Sequence, residues 1–503
     1  MKRDVIVIGS GLGGLECACI LAAAGKRVLV LERALQPGGC MQSYRRRGLG
    51  YDTGFHYVGA LDEGQSLHNV FGFLGLLDLP WQRLDDCFDH IRIGERDFAF
   101  AQGYDNFVDT LAREFPAERG TLVSYAKLLR QSEAMQFDAL NPAGSISPFD
   151  TGLFDKSAYQ YLTSNFSDEL LINVLSGAAM KMELNCDTMP LFNFLHCNSG
   201  FIESSWRLKG DGQQLVDTLI ARIKQAGGDV LCGAGVTQLV EEDGQVTRAV
   251  CATGETYEAD CFVSDIHPAA TCALVRDSQR IKRIYRRRLE SSVNTFGMFT
   301  ASLRLKPGKL PYFNYNQYIY REPNVWTFYE RNSEQVGGVM VSCRVPEHGG
   351  TCAEQIDLLT PMLWSECAQY ELDGDAAASA RPVSHKRSAA YHEMKQRKAQ
   401  QCIELASRFI PGLDAMVDQC YTSTPLTYHD YLDAPQGTAF GMRKDYHNPL
   451  MSFMSPHTPV QNLLLTGQSL MLPGVQGVTM SALYTCAAVI GKNKIWKILN
   501  TRY

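Results

Sequence analysis

Asp4-Val-Ile-Val-Ile8, then Gly9-Ser-Gly11-Leu-Gly-Gly14, then Arg27-Val-Leu-Val-Leu31-Glu32 decide the fold. The first run is short, apolar and rich in β-branched residues, so it reads as a buried parallel strand. The glycines follow at once. Leu15 to Gly25 is small and apolar and reads as a helix ended by glycine. Arg27 to Leu31 is a second buried strand, closed by Glu32. Each part has a physical role in holding a dinucleotide. Gly9 permits the tight turn, Gly11 lets a pyrophosphate approach the backbone, and Gly14 lets helix and strand pack closely. Leu12 lies inside the loop, at the helix start whose N–H groups and dipole favour phosphate. Glu32 is placed to accept both hydroxyls of an adenosine ribose. Strand, glycines, helix, strand and acid occur in the order and spacing that this fingerprint requires.

Arg33 follows the acid, then Gly38-Gly39, then Tyr51-Asp52-Thr-Gly54-Phe55-His56. This continuation resembles the second fingerprint of the FAD-dependent amine oxidase and phytoene desaturase superfamily. Near the C-terminus, Asn462 to Thr466 reads as a strand. Gly467-Gln468, then Pro473-Gly474-Val-Gln-Gly477-Val478, lead to an apolar helix from Thr479 to Ile490. That stretch resembles the superfamily's closing motif. The resemblance implies FAD as cofactor, held by Gly9, Gly11, Leu12, Gly14, Glu32, Arg33, Gly38 and Gly39 at one end of the chain. Gly467, Gln468, Gly474, Gly477 and Val478 complete the site from the other end. Many relatives carry an acid where this chain has Gln468, whose amide still donates and accepts hydrogen bonds.

The middle of the chain supplies further strands, Asp229-Val-Leu, Val236 to Val240, Val246 to Ala252 and Ala259 to Ser264, with turns at Asp243-Gly244 and Gly254. This is similar to the superfamily's second FAD segment, in which Val236 matches an adenine contact. The expected class is α/β: a discontinuous Rossmann-like FAD-binding domain at 1–72, 205–290 and 455–503, with an inserted α+β substrate domain at 73–204 and 291–454. Asp373 to Arg381 reads as an exposed loop. No second G-x-G-x-x-G opens a helix, because Gly233-Ala-Gly235 leads into a strand. A separate nicotinamide domain is not expected.

Tyr51 to Gly59 with Glu63-Gly64 resembles the retinol saturase branch. Thr424 to Tyr428, Tyr431 and Pro435 to Gly441 resemble the segment lying over the flavin in phytoene desaturases and carotenoid isomerases. What the resemblance implies is a long apolar polyene or isoprenoid substrate and hydride exchange at flavin N5, by saturation, desaturation or isomerisation. The candidates for proton transfer are His56 and Tyr431; histidine titrates near neutral pH. His267 reads as structural. Two other readings share the fingerprints: an FAD-dependent amine oxidase, and a non-catalytic lipid carrier of the Rab GDP-dissociation inhibitor type.

Composition sets outer bounds. The chain has 503 residues with 45% hydrophobic and 20% charged, an ordinary globular balance. A net charge of -6 gives no basic field for nucleic acid. The sixteen cysteines form no C-x-x-C pair and no metal spacing, so free thiols in a reducing cytoplasm are expected. Lys2 and Arg3 precede an apolar stretch, but Asp4 and the glycines interrupt it, so no signal peptide is expected. No run reaches the ~18 apolar residues of a membrane span. Peripheral membrane contact is the remaining expectation, through three patches: Leu67 to Leu77, the basic stretch Ile281 to Arg288, and Lys492 to Tyr503.

Overall fold

Five parallel strands end at one edge of a twisted sheet. In the computed structural model, which describes residues 2–135, 137–144, 151–347, 349–371 and 387–502, they are Asp229–Leu231, Val28–Leu31, Arg3–Ile8, Thr256–Ser264 and Leu463–Leu465. Val5, Val7, Val28, Val30 and Val263 are almost fully buried, as strands covered on both faces must be. Backbone bonds tie the strand ends together: Gly9 N–H donates to Leu31, Asp265 N–H to Ile8 and Thr466 N–H to Ser264, at 2.8–2.9 Å. The long strand Thr256–Ser264 also pairs antiparallel with Gln245–Cys251, which pairs with Val236–Glu242. Asp243 and Gly244 join those last two with φ of 51° and 79°, the two-residue turn that favours Asp-Gly.

A second seven-stranded sheet is built from other parts of the chain. Its order is Val417–Ser423, Gly297–Leu305, Gln355–Met362, Gly338–Cys343, Asn316–Tyr320, Cys87–Ile93 and Arg96–Ala101. Register places Asp89, Asn316, Ser342, Asp357 and Ser302 side by side in one row. All five are buried. Buried polar groups need partners, and this row has them. Asn316 donates to Asp89 at 2.9 Å, Ser302 to Asp357 at 2.6 Å, and Arg344 to Asp357 at 3.0 Å. Arg344 also pairs with Asp52 at 2.8 Å, tying this sheet to the segment after the glycine loop.

Several elements differ from the sequence reading. The first helix is Leu12–Ala23, beginning directly after Gly11. The last long helix begins at Gly474 rather than Thr479, since Pro473 stands at its N-cap with extended backbone. The helix Ser66–Leu74 buries Leu67, Val70, Phe71 and Leu74 completely. Its apolar face therefore packs into the protein core and is not free for lipid. In the C-terminal helix Lys492–Asn500, Ile495 and Ile498 are buried in the same way. The cysteines are free thiols. Asp373 to Arg381 lies outside the described residues.

Helix Leu12–Ala23 packs against both the first strand and helix Gly474–Ile490. A methyl group at Gly14 would meet the Gly9 carbonyl oxygen at 2.4 Å, a backbone atom that cannot give way. Gly14→Ala should cost about 1–3 kcal/mol by overpacking, measured by urea unfolding; an unchanged midpoint would contradict this packing. Between the two helices, Glu16 is fully buried and accepts a hydrogen bond from the Thr479 hydroxyl at 2.8 Å. Burial pushes its carboxyl up to about 8. The native state thus holds a proton that the unfolded chain releases from about 4.5 upward. That contribution is full below the lower value and is lost as pH rises to the upper one, by at most about 1.4 kcal/mol per pH unit. Glu16→Gln should flatten the decline in stability between those values. Parallel pH profiles for the two proteins would show that Glu16 is not protonated in the fold.

Candidate functional site

The parallel strand ends open into a cavity of about 430 Å³. Two helix N-termini meet there, those of Leu12–Ala23 and Gly474–Ile490, and neither has a side-chain cap. Uncapped first-turn N–H groups and the positive dipole ends favour an anion between them. Gly9, with φ of 94°, makes the turn that other residues resist.

The proposed dinucleotide residues fall in two positions. Gly9, Gly11, Leu12, Glu32, Arg33 and Gly39 line the cavity from the N-terminal side. Val236, Gly467, Gln468, Gly474, Gly477 and Val478 line it from the other segments. Gly14 and Gly38 stand behind that surface. Gly14 is held against the first strand, and a methyl at Gly38 would meet Val216 at 2.8 Å. Gly39 lies against Gly11, where an added carbon would come to 3.1 Å of its Cα. The two glycine stretches thus form one cradle of bare backbone.

Glu32 is fixed by its neighbours. One carboxylate oxygen accepts from the Ser10 N–H at 2.8 Å and the Ser10 hydroxyl at 2.5 Å; the other accepts from Ala34 N–H at 2.7 Å. The Ser10 hydroxyl also accepts from Gly38 N–H at 3.1 Å, linking acid, first loop and double glycine. A carboxylate has about four acceptor positions, and three are taken, so one remains for a ribose hydroxyl rather than the two expected. Bare-backbone cradle, helix N-termini and terminal acid together fit an adenine dinucleotide with a flavin.

Asp265, just past its strand, was not singled out from sequence. It lies among the glycines: its carboxylate would be struck by a methyl on Gly11 at 2.4 Å, on Gly13 at 2.8 Å or on Gly467 at 2.6 Å. Burial pushes its carboxyl up to about 7, with Glu32's charge adding to the rise and the Gly14 N–H opposing it. The position at a strand's C-terminal end was the available signal. His267, read as structural from sequence, caps a helix and also lines the cavity: its Nδ1 accepts from Ala269 N–H, and its Nε2 lies 2.9 Å from the Asn294 side-chain oxygen.

His56 lines the cavity with 12% of its side chain exposed. Its Nδ1 is 3.9 Å from Asp357, beyond hydrogen-bond reach, and its Nε2 has no hydrogen bond among the described residues. Burial holds its pKa below the ordinary histidine value, although Asp357 acts the other way. Burial therefore favours the neutral imidazole. Tyr431 also lines the cavity, but it is 42% exposed, and its carbonyl accepts from Arg33 at 3.2 Å. Arg33 in turn pairs with Asp433 at 3.0 Å. Tyr431 therefore stands at the Arg33 rim, while Tyr428 is the buried aromatic of that segment, its hydroxyl donating to the Thr53 carbonyl at 3.2 Å.

Beyond the cradle the walls become apolar: Met298, Met340 and Leu359 from the second sheet, with Phe201, Leu432 and Phe440. Two side chains missed in the sequence break that lining. Lys181 follows Met180 at one side, and His196 is 4% exposed with neither ring nitrogen hydrogen-bonded among the described residues. Burial pushes the His196 imidazole down to about 3.

Comparison with known proteins bears on this arrangement. A family model described as flavin containing amine oxidoreductase matches residues 12–270. The chain is 26% identical to the human (Homo sapiens) all-trans-retinol 13,14-reductase, over 98% of this chain and 86% of that protein. It is 23% identical to the lycopene-forming phytoene desaturase of Pseudescherichia vulneris, over 97% of this chain and 99% of that one. In fold it is similar to a solved oxidoreductase from Methanosarcina mazei, with a TM-score of 0.62 at 17% identity, covering 95% of this chain and 99% of that chain. The matched region begins at Leu12 inside the glycine loop and contains the acid and the double glycine, and the chain belongs to the flavin containing amine oxidoreductase family.

Proposed function

We propose that the protein is an FAD-dependent oxidoreductase acting on carbon–carbon double bonds of a polyene or isoprenoid lipid. The observation that carries this reading is the continuity of the dinucleotide cradle with an apolar space walled by the second sheet. The apolar wall of Met298, Met340, Leu359 and Phe440 favours a long apolar ligand over a small charged one. Likeness along almost the whole chain to a retinol reductase supports saturation as the direction.

FAD, when bound, supplies hydride exchange at N5. The protein's own residues do the rest. The cradle and Glu32 would hold the cofactor, with the positive end of helix Gly474–Ile490 at the same cavity, and the methionine-lined wall would exclude water and orient the chain. Among the flexible lining groups, Met298 and Met340 can adapt to an extended hydrocarbon. His56, neutral and with one ring nitrogen free, is placed to hydrogen-bond or pass a proton to a group in the cavity.

The amine oxidase alternative is distinguished by chemistry. Reduced holoenzyme mixed anaerobically with a polyene should return to the oxidised flavin spectrum, and the product should gain two hydrogens by mass spectrometry. Bleaching of oxidised flavin by amines, with no response to polyenes, would favour amine oxidation instead. For His56, a His56→Ala variant should keep its flavin and slow single turnover by about tenfold or more if the imidazole passes a proton. An unchanged single-turnover rate with flavin retained would remove His56 from catalysis.

Contact with a membrane surface is part of the same proposal. No helix among the described residues is long and apolar enough to cross a bilayer. Of the three patches, the basic helix Arg283–Glu290 keeps an outward apolar residue, Ile284, which is 80% exposed. Basic residues around an exposed apolar side chain suit anionic lipid. The protein should float with anionic liposomes at low salt and less so after Ile284→Asp; failure to float would contradict surface binding.

A further inference from the structure

Lys181 lines the mainly apolar part of the cavity, where His196 is the other polar interruption. Among the described lining residues the cationic side chains are Arg33 and Lys181. Arg33 stands at the ribose end, paired with Asp433. Lys181 stands among Met180, Cys197 and Phe201, with only 13% of its side chain exposed. Burying an ammonium is costly unless something compensates it. Asp89 gives partial compensation from 3.8 Å, beyond hydrogen-bond distance. Both oxygens of Asp89 are already engaged, one by Asn316 at 2.9 Å and the other by the Tyr57 hydroxyl at 2.9 Å. The ammonium rests instead on the Phe201 ring, 3.9 Å from its centroid, with the Tyr57 ring at 5.4 Å. Aromatic faces attract the charge but accept no strong hydrogen bond. An ammonium has three N–H donors, and neither the rings nor Asp89 at 3.8 Å takes one up in a hydrogen bond of ordinary length.

We propose that Lys181 recognises the oxygen-bearing end of the substrate, so that the ligand is an apolar chain terminating in a carboxylate, hydroxyl or carbonyl rather than a pure hydrocarbon. This rests on the polyene reading above and narrows it. The ammonium donates to the terminal oxygen while the methionine and phenylalanine walls enclose the chain. Asp89 and the aromatic rings hold the lysine in place, and the buried row Asp89–Asn316 fixes the aspartate. Neutral burial of a hydrocarbon end beside this charge would leave its donors unsatisfied, a penalty that favours the oxygenated ligand.

Three retinoid-length polyene probes test this on the flavin-loaded protein: a hydrocarbon, an alcohol and a carboxylic acid, with binding read by quenching of protein fluorescence. Lys181→Met should weaken acid binding by about tenfold or more, since hydrogen bonds to charged groups carry that much. It should weaken the alcohol less and leave both the hydrocarbon affinity and the flavin spectrum unchanged. Lys181→Gln, which keeps a donor without charge, should retain the alcohol and lose the acid; it also serves if the methionine variant is unstable. Parallel losses for all three probes, undiminished acid binding, or an altered flavin spectrum in the Lys181 variants would overturn the assignment. If the wild-type protein takes up none of the probes, it is the polyene reading that fails.

Discussion

The edge where the parallel strands end is the constraint on which the rest of the structure depends. The first strand, the second strand and Thr256–Ser264 deliver Gly9, Glu32 and Asp265 to one place, and the last short strand delivers Gly467. Helix N-termini must point at that edge, because right-handed crossovers bring them back over the sheet. The absence of side chains at Gly11, Gly14 and Gly39 then decides how closely backbone segments approach. An acid on the second strand, locked by Ser10, marks one end of the cradle. The long apolar cavity begins where the glycines stop.

The second sheet follows a different rule. Its strands come from distant segments, and one face carries a buried polar row beside an apolar one. Tyr318, Met340 and Leu359 occupy neighbouring strands one row along from Asn316, Ser342 and Asp357. The apolar row contributes Met340 and Leu359 to the cavity wall. The polar row anchors Arg207 through Asn316 and Arg344 through Asp357, and its Asp89 stands 3.8 Å from Lys181. Hydrocarbon and fixed charge are thereby separated by two residues along each strand, on the same face.

Legibility from sequence tracked distance along the chain. The glycine loop, its two strands and Glu32 lie within thirty residues and carry local sterics, so their reading transfers directly to the structure. The closing helix starts earlier than its apolar run suggests, because Gly474 and Gly477 have the composition of a turn while Pro473 is the N-cap. The helix Ser66–Leu74 shows the limit of periodicity: the spacing of Leu67, Val70, Phe71 and Leu74 is the same whether the face meets lipid or core, and tertiary packing chose the core. Lys181 and Asp89 are 92 residues apart in sequence, and Asp89 meets Asn316 only through a parallel pairing of distant strands. No local pattern marks such a meeting.

The central claim is that one cavity holds FAD and an apolar chain together. Native mass spectrometry of the purified protein, before and after addition of a polyene lipid, measures this directly. The account predicts a chain carrying one FAD that takes up one lipid without releasing it. A flavin-free protein that still binds the lipid, or an FAD-loaded protein that takes up none, would contradict it.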